Sequence, residues 1–396
     1  MGFVKVLSCF CCCILSLLYA FQANANDDIV HDYLKTHTIE EAAAQLFIVG
    51  VPSDYTNLSS DVETREILSL NVGGVMINAY NLPSYSLDKY SKEEAFSLMS
   101  GYIRDLRRLS NNGSDLLVSA DFESSRFTSI KYPLSPPPAA MTLSTTNDTK
   151  NAYLAGRITG YQLQSLGVNL VFGPVLDLSR PIQGSLNTAL KNRAWSSDPN
   201  ITTSMVSRYI DGVKEFKLAL IAKHLPGFGS VDKNPHSSEE ARYTGSLRTL
   251  TEEISVFNKV ADSIDGGMTS HVSVGVTGIE DPMTVSKSLM KEIFLSPNFL
   301  AGALKKKVVI TDDLSNMSAI LAYMDRKGWG YSDLALESFK AGHDMLLFSH
   351  VQEHSNFHID DLRASISAIA NYASTGEGKP RFYEALGRVL SLKKGF

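Results

Sequence analysis

A short apolar segment ends in two basic side chains at Leu218-Ala219-Leu220-Ile221-Ala222-Lys223-His224-Leu225-Pro226. A nearly continuous hydrophobic run of this length is typical of a parallel strand that is buried on both faces. Seven further segments of the chain share the pattern, and a helix-length amphipathic stretch follows each of them. Strands are predicted at residues 44–51, 72–79, 115–122, 169–177, 218–226, 266–274, 307–314 and 343–350.

The predicted helices alternate with these strands along the whole chain. They cover residues 62–70, 92–109, 150–166, 201–216, 250–263, 287–294, 332–341 and 360–372, and a ninth helix at 381–392 is expected to pack on the outside. Eight strands that are each followed by a helix predict an α/β fold, a (β/α)₈ TIM barrel of a single domain. The alternative is a doubly wound open sheet, which would be expected to carry a glycine-rich phosphate turn after an early strand; none follows the first strand.

The composition is that of an ordinary globular protein, with 44% hydrophobic and 20% charged residues. It excludes long disordered regions and coiled coils. A formal net charge of −5 gives no overall basic field that would favour nucleic acid. The four cysteines lie together at Cys9, Cys11, Cys12 and Cys13, which excludes a zinc ribbon or a disulfide scaffold.

The N-terminus has the pattern of an export signal. Lys5 precedes an apolar run over residues 6–21, and Ala23-Asn24-Ala25 is a small-x-small cleavage site. We expect a signal peptide at residues 1–25, cleavage after Ala25 and a barrel domain at residues 26–396. A membrane anchor is one alternative, but the run is shorter than the roughly 20 apolar residues of a spanning helix. A lipid attached at one of the cysteines is another, but no cysteine follows a complete apolar stretch. The mature protein is therefore expected in the periplasm or the medium, with no membrane attachment after cleavage.

Ionisable side chains follow the apolar core of six predicted strands, where a (β/α)₈ barrel places its chemistry. Any one of them has a structural explanation, because an acid at a strand end often caps the next helix. Six such strand ends at one rim predict a polar pocket for a polyhydroxylated or charged ligand. The residues are Asp121 and Glu123, Asp177, Lys223 and His224, His271, Asp312 and Asp313, and His343 and Asp344.

Motifs for several other chemistries do not occur in the sequence. It contains no His-Glu-x-x-His motif, no Gly-x-Ser-x-Gly elbow and no P-loop, and it has no cysteine outside the predicted signal peptide that could bind a metal. One acid, Asp312, directly follows the apolar segment Val308-Val309-Ile310-Thr311, and a histidine of a loop is expected to face it. A carboxylate nucleophile with a separate proton donor is what a retaining glycosidase uses, and such an enzyme needs neither metal nor cofactor.

Six motifs in order resemble those of the single-domain exo-β-N-acetylglucosaminidases of bacterial glycoside hydrolase family 3, over residues 43–345. They are Asp121-Phe122-Glu123-Ser124-Ser125-Arg126, Gly173-Pro174-Val175-Leu176-Asp177, Asn192-Arg193-Ala194-Trp195, Lys223-His224-Leu225-Pro226-Gly227-Phe228-Gly229, Thr311-Asp312-Asp313-Leu314 and Ala341-Gly342-His343-Asp344-Met345. The resemblance implies that Asp312 is the nucleophile. It also implies that Asp121, Arg193, Lys223 and His224 bind the sugar, with His271 lining the same pocket.

The loop after the fifth strand departs from the family pattern. The family has Asp-Ser-His there, in which the histidine is the acid/base and the aspartate orients it; this chain has Asn234-Pro235-His236. Asparagine can accept a hydrogen bond from the ring but supplies no charge to favour the imidazolium.

Three hypotheses follow for this chain. It is a working enzyme in which His236 acts with Asn234 or a rearranged Asp232, a glycosidase of shifted specificity in which Glu239 or Glu240 donates the proton, or a glycan-binding protein with impaired chemistry. The expected partner in each case is a carbohydrate with β-linked N-acetylglucosamine, from peptidoglycan or a chitin-like glycan. We expect a monomer and no nucleic-acid partner.

Overall fold

Eight short parallel strands form a nearly closed barrel, as the computed structural model shows for residues 28–124, 126–182, 185–186, 190, 192–295 and 304–395. The predicted signal peptide at residues 1–25 lies outside the described residues. The barrel strands are β1 Phe47–Gly50, β2 Gly74–Met76, β3 Leu117–Ala120, β4 Leu170–Val175, β5 Ala219–Leu225, β6 Gly266–Thr269, β7 Val308–Thr311 and β8 Leu346–Phe348.

The barrel closes between its last two strands. Neighbours from β8 through β1 to β7 pair in parallel, and a parallel bridge between Ile310 and Met345 joins the two ends of that series. Every residue of the eight strands is buried, which explains why they were readable as continuous apolar runs. The (β/α)₈ prediction is confirmed, and each strand is shorter than its predicted segment.

The helices that surround the barrel are α1 Val62–Ser69, α2 Lys92–Leu109, α3 Thr149–Leu166, α4 Pro199–Val213, α5 Leu247–Val260, α6 Lys287–Leu295, α7 Tyr331–Ala341, α8 Ile359–Ala373 and α9 Gly378–Lys393. Helices α1 to α5 each have a capping side chain at the N-terminus, for example Asp61 on α1 and Ser246 on α5. None of the described helices is long and apolar enough to cross a membrane.

Shorter elements lie in the connections. They are the α-helices Ile39–Ala44, Ser84–Leu87, Ala140–Thr145 and Ser318–Lys327, and the paired two- or three-residue strands Phe122–Ser124 with Phe127–Thr128, Pro181–Ile182 with Ser185–Leu186, and Arg242–Tyr243 with Ser273–Val274. The sequence analysis missed the helix Ser318–Lys327, which follows β7 and supports a loop of the site.

Two of the charged residues predicted at the C-terminal rim of the barrel lie at its other end. His343 and Asp344 precede β8, so they lie at the N-terminal end of that strand, opposite the rim that carries chemistry. The buried Asp344 carboxylate pairs with two arginines of α9, at 2.9 Å to Arg381 and 2.8 Å to Arg388, and accepts the Val309 N–H at 3.0 Å. This acid therefore attaches α9 to the bottom of the barrel, and the rim carries five charged strand ends rather than six.

Candidate active site

Four strand ends bring acidic and basic side chains to the C-terminal mouth of the barrel. Asp121 directly follows β3, and Asp312 directly follows β7. Lys223 and His224 are among the last three residues of β5. Asp177 follows β4 by two residues. Parallel strands of a barrel end at the same rim, so residues far apart in sequence meet there.

A buried cation lies between two carboxylates at the floor of this mouth. The Lys223 Nζ atom donates to Asp121 Oδ1 at 2.6 Å and lies 2.8 Å from Glu123 Oε1. Burial alone would lower the pKa of Lys223, but the charges of Asp121 and Glu123 outweigh it and raise the pKa. The ammonium therefore stays charged and fixes the direction of Asp121, whose side chain is 34% exposed and reaches the cavity.

Arg193 joins the same cluster from the long connection after β4. Its Nε and Nη2 atoms donate to both carboxylate oxygens of Glu123, at 2.8 and 2.9 Å. Burial of Glu123 acts to raise its pKa, and the charges of Arg193 and Lys223 reverse this, so that its pKa lies well below the ordinary range. The sequence analysis noted Glu123 only as an acid at a strand end; the structure shows that it orients both predicted sugar-binding cations.

The hydrogen bonds of His224 determine its tautomer. Arg193 Nη2 lies 3.3 Å from His224 Nε2, and His224 Nδ1 lies 2.7 Å from Asp177 Oδ2. A guanidinium can only donate, so Nε2 accepts and the ring proton is on Nδ1, where it is donated to Asp177. Asp177 also accepts the Phe228 N–H at 2.8 Å, so one buried acid positions both the imidazole and the turn that follows β5.

The two adjacent acids after β7 have different environments. Asp313 Oδ1 accepts the N–H groups of Ser315 and Ser349, at 3.0 and 2.8 Å, and the Ser315 hydroxyl at 2.6 Å. Asp312, which is only partly buried, accepts the Asp313 N–H at 2.9 Å. Asp313 therefore ties the loop after β7 to the end of β8, and Asp312 is the acid that faces the mouth of the barrel.

The protonation of Asp312 follows from its neighbours. Burial acts to raise its pKa, and the neighbouring histidines His224, His271 and His236, together with the hydrogen bond from the Asp313 N–H, outweigh it, so the pKa lies below the ordinary value. An aspartate with this pKa is ionised at neutral pH. It therefore meets the first requirement of a carboxylate nucleophile.

His271 lies behind this pair of acids. Its Nδ1 atom is 2.6 Å from the Thr284 hydroxyl, and its Nε2 atom is 2.8 Å from the Asp313 carbonyl oxygen. The carbonyl can only accept, so Nε2 carries a proton and donates it. Both ring nitrogens therefore contact protein atoms, and a direct contact of His271 with a sugar stays a prediction.

His236 lies at the surface of the loop after β5 and faces the same pocket. Its carbonyl oxygen accepts the Ser318 hydroxyl at 2.9 Å, and the Pro235 carbonyl accepts the Ala319 N–H at 3.0 Å. These bonds dock the loop on the helix Ser318–Lys327. The residue is exposed overall, but protein atoms around its imidazole partly shield the ring from water and lower its pKa below the ordinary value, and the charge of Asp312 acts in the opposite direction.

The carboxamide of Asn234 is turned toward the backbone of its own loop. Its Oδ1 atom accepts the His236 N–H at 3.1 Å. The carboxylates that were alternatives also contact other groups: Asp232 accepts the Arg242 N–H at 2.8 Å, and Glu240 lies 3.8 Å from Arg326. Among the described hydrogen bonds, none joins a loop carboxylate to the His236 ring.

Comparison with known proteins decides the family. The model of the glycosyl hydrolase family 3 N-terminal domain matches residues 38–392. This chain belongs to that family. It is therefore a glycoside hydrolase, and it is β-hexosaminidase-like, which confirms the predicted family and enzyme class.

Relatives of this family 3 chain are similar to it over most of their lengths. A β-hexosaminidase of Psychromonas ingrahamii is 25% identical over 322 residues, which are 80% of this chain and 87% of the relative. A β-hexosaminidase of Tolumonas auensis is 28% identical over 74% of this chain and 80% of its own length. The structure of a family 3 β-N-acetylglucosaminidase from Paenibacillus superposes with a TM-score of 0.75 at 23% identity, over 91% of this chain and 63% of that one.

The site of this family 3 chain contains seven of the eight predicted residues in two groups. Asp121, Arg193, Lys223 and His224 form one connected network on the floor, and Asp312 and His236 line the same mouth, with His271 behind them. The eighth, Asn234, contacts the backbone of His236. The sequence analysis had quoted Glu123 and Asp177 as strand-end acids without a role. Only their contacts show that they position the others.

Proposed function

We propose that this chain is a retaining exo-β-N-acetylglucosaminidase. The observation that carries the proposal is the ionised carboxylate of Asp312 at the end of β7, in the pocket that also contains the Lys223 network and His236. The β-hexosaminidase relatives support the choice of sugar.

In the first step, a carboxylate oxygen of Asp312 attacks the anomeric carbon and the bond to the leaving oxygen breaks. The imidazolium of His236 donates its proton to that oxygen, so the leaving group departs as an alcohol. A water then attacks the same carbon while His236 takes one of its protons. This releases the sugar and restores the Asp312 carboxylate.

The network on the floor binds the sugar before and during these steps. Asp121 accepts from sugar hydroxyls, and Arg193, Lys223 and His224 contact neighbouring hydroxyls from the same floor of the pocket. Because these groups are polar and mostly buried, a sugar without the matching hydroxyls would make fewer hydrogen bonds to them, which weakens its binding. Asn234 supports His236 through its backbone, and His271 holds the loop after β7.

Impaired chemistry is the second candidate function, and one observation favours it. The Asn234 side chain contacts the His236 backbone rather than its ring, so no charged partner stabilises the imidazolium in this loop. The pocket would then bind N-acetylglucosamine glycans without efficient turnover.

Two β-N-acetylglucosaminides, one with a nitrophenyl and one with a sugar leaving group, distinguish these functions. Nitrophenolate departs with little help from an acid, so this substrate tests the nucleophile and the pocket alone. Hydrolysis of both supports the proposed enzyme, and hydrolysis of only the nitrophenyl compound locates a defect in the loop. If neither is hydrolysed, the enzyme proposal fails and a sugar-binding titration tests the second candidate.

We further propose that the protein acts as a monomer outside the cytoplasm on peptidoglycan-derived or chitin-like glycans. The apolar run and the Ala23-Asn24-Ala25 site support export with cleavage after Ala25. N-terminal sequencing of the protein from a periplasmic or culture fraction tests the cleavage, and sedimentation tests the oligomeric state.

A further inference from the structure

Glu253 is a buried acid that no step of the proposed reaction uses. It lies on α5, outside the pocket, with no exposed surface. Its Oε2 atom accepts the Gly229 N–H at 3.0 Å, and its Oε1 atom accepts the Tyr243 hydroxyl at 3.3 Å. A buried acid of this kind is expensive to keep, so its two partners indicate what it stabilises.

Those partners lie at the two ends of one loop. Residues 230–242, here called the His236 loop, begin directly after Gly229 and end directly before Tyr243. The ends are joined by a bridge between Val231 and Tyr243 and by the Thr244 N–H, which donates to the Ser230 carbonyl at 2.9 Å. The carboxyl group of Glu253 thus contacts both ends of the His236 loop.

The glycines of Pro226-Gly227-Phe228-Gly229 are explained by the same carboxyl. A Cβ atom on Gly227 would lie 2.3 Å from Glu253 Oε2, and one on Gly229 would lie 2.6 Å from Oε1. Gly227 also has a φ of +140°, a backbone angle that residues with a side chain rarely adopt. The turn is therefore pressed against Glu253 on one face, and on the other Asp177 accepts the Phe228 N–H.

We propose that Glu253 is a positioning residue that clamps the two ends of the His236 loop and so keeps His236 over Asp312. This inference rests on the proposed function, because the position of the loop matters for catalysis only if His236 donates the proton. Docking on the helix Ser318–Lys327 fixes the tip of the loop, and Glu253 fixes its base.

The groups that face Glu253 are one acid, one base and one phenol. Asp177 lies near enough to act on its charge, Arg180 Nε lies 3.9 Å from Oε1, and Tyr243 donates to it. Burial, together with Asp177, raises the pKa of Glu253 to about 8. At neutral pH the clamp is therefore a neutral carboxyl, and glutamine is its closest replacement.

The test combines kinetics with hydrogen exchange in the full mature chain. We expect Glu253→Ala to lower the rate on the sugar leaving group about tenfold and the rate on the nitrophenyl compound less than about threefold, since only the former needs the acid. Exchange in peptides covering residues 228–243 should become faster. Glu253→Gln should restore both readouts, because its amide can accept from Gly229 and donate to the Tyr243 oxygen.

Lys259→Ala is the matched control on the same helix. Its ammonium donates to Asn200 Oδ1 at 3.1 Å, away from the loop and from Glu253, so both readouts should match the wild type. If Glu253→Ala does not fold, Tyr243→Phe removes one contact with little change of volume, and the same faster exchange is expected.

The clamp is overturned if a folded Glu253→Ala variant shows unchanged hydrogen exchange in residues 228–243, or if its rates on the two substrates fall by the same factor. If the wild type hydrolyses neither substrate, the proposed function fails, and exchange in residues 228–243 alone still decides whether Glu253 holds the loop.

Discussion

The Oδ1 atom of Asn234 lies 3.1 Å from the backbone nitrogen of His236, so this carboxamide caps a turn of the loop and does not contact the imidazole. The proposed acid/base therefore has the electrostatic support of Asp312 across the pocket but none from its own loop.

Substitution by asparagine is expected to lower turnover far more at Asp312 than at Asp313. Asp312→Asn removes the nucleophile and should lower turnover of both substrates about 10⁶-fold, the scale of losing a catalytic nucleophile. Asp313→Asn keeps an acceptor for the Ser315 and Ser349 N–H groups, so it should lower turnover less than about tenfold. Steady-state kinetics and a urea titration of each variant provide the measurement. More than a tenth of wild-type turnover in Asp312→Asn would remove this residue from the mechanism.

The pH profile should have its optimum on the acidic side of neutrality. Donation requires protonated His236, whose pKa lies below the ordinary 6.5, and attack requires ionised Asp312, whose pKa lies below the ordinary 3.8. For the sugar leaving group, kcat/KM should fall about tenfold per pH unit above the His236 pKa. The nitrophenyl compound should lack this alkaline limb. An alkaline limb of equal position for both substrates contradicts the assignment of His236 as the acid.

Asn234→Asp should move that alkaline limb upward. The carboxylate can keep the cap on the His236 N–H, and its charge favours the imidazolium, with an expected rise of about one pH unit. The measurement is kcat/KM for the sugar leaving group between pH 4 and 9. Asp232→Asn is the control, because Asp232 accepts the Arg242 N–H and should leave the limb in place. A limb that moves with Asp232→Asn instead would make Asp232 the partner of His236.

Asp344→Asn should destabilise the fold without changing the chemistry. It removes the buried partner of Arg381 and Arg388 and leaves both with the half-exposed Glu384, so the expected loss is about 3 kcal/mol of unfolding free energy, the lower end for breaking a buried ion pair. Chemical denaturation measures this loss, and KM and kcat below the unfolding transition should stay within twofold of the wild type. A stable variant with altered KM would return this residue to the substrate pocket.

Local sequence was enough for the architecture and for part of the site. The eight buried strands are apolar on both faces, so their pattern survives in the sequence without knowledge of their neighbours. Asp121, Lys223, His224 and Asp312 were recognisable because each stops or follows such a run, and the barrel places those ends at one rim.

The remaining features depend on contacts between distant segments. Glu123 orients Arg193 and Lys223, and Glu253 meets both ends of the His236 loop, only after the strands have closed into a barrel. Asp344 lies at the N-terminal end of β8 because this strand begins only at Leu346. An apolar run in the sequence does not show where strand pairing begins to within several residues, so the sequence could not assign Asp344 to one end of the barrel. The sequence alone thus determined the fold, the family and the acids and bases at the strand ends. The tertiary structure decided which partners each of them has, because charge and hydrogen bonding depend on distance in space and not on separation along the chain.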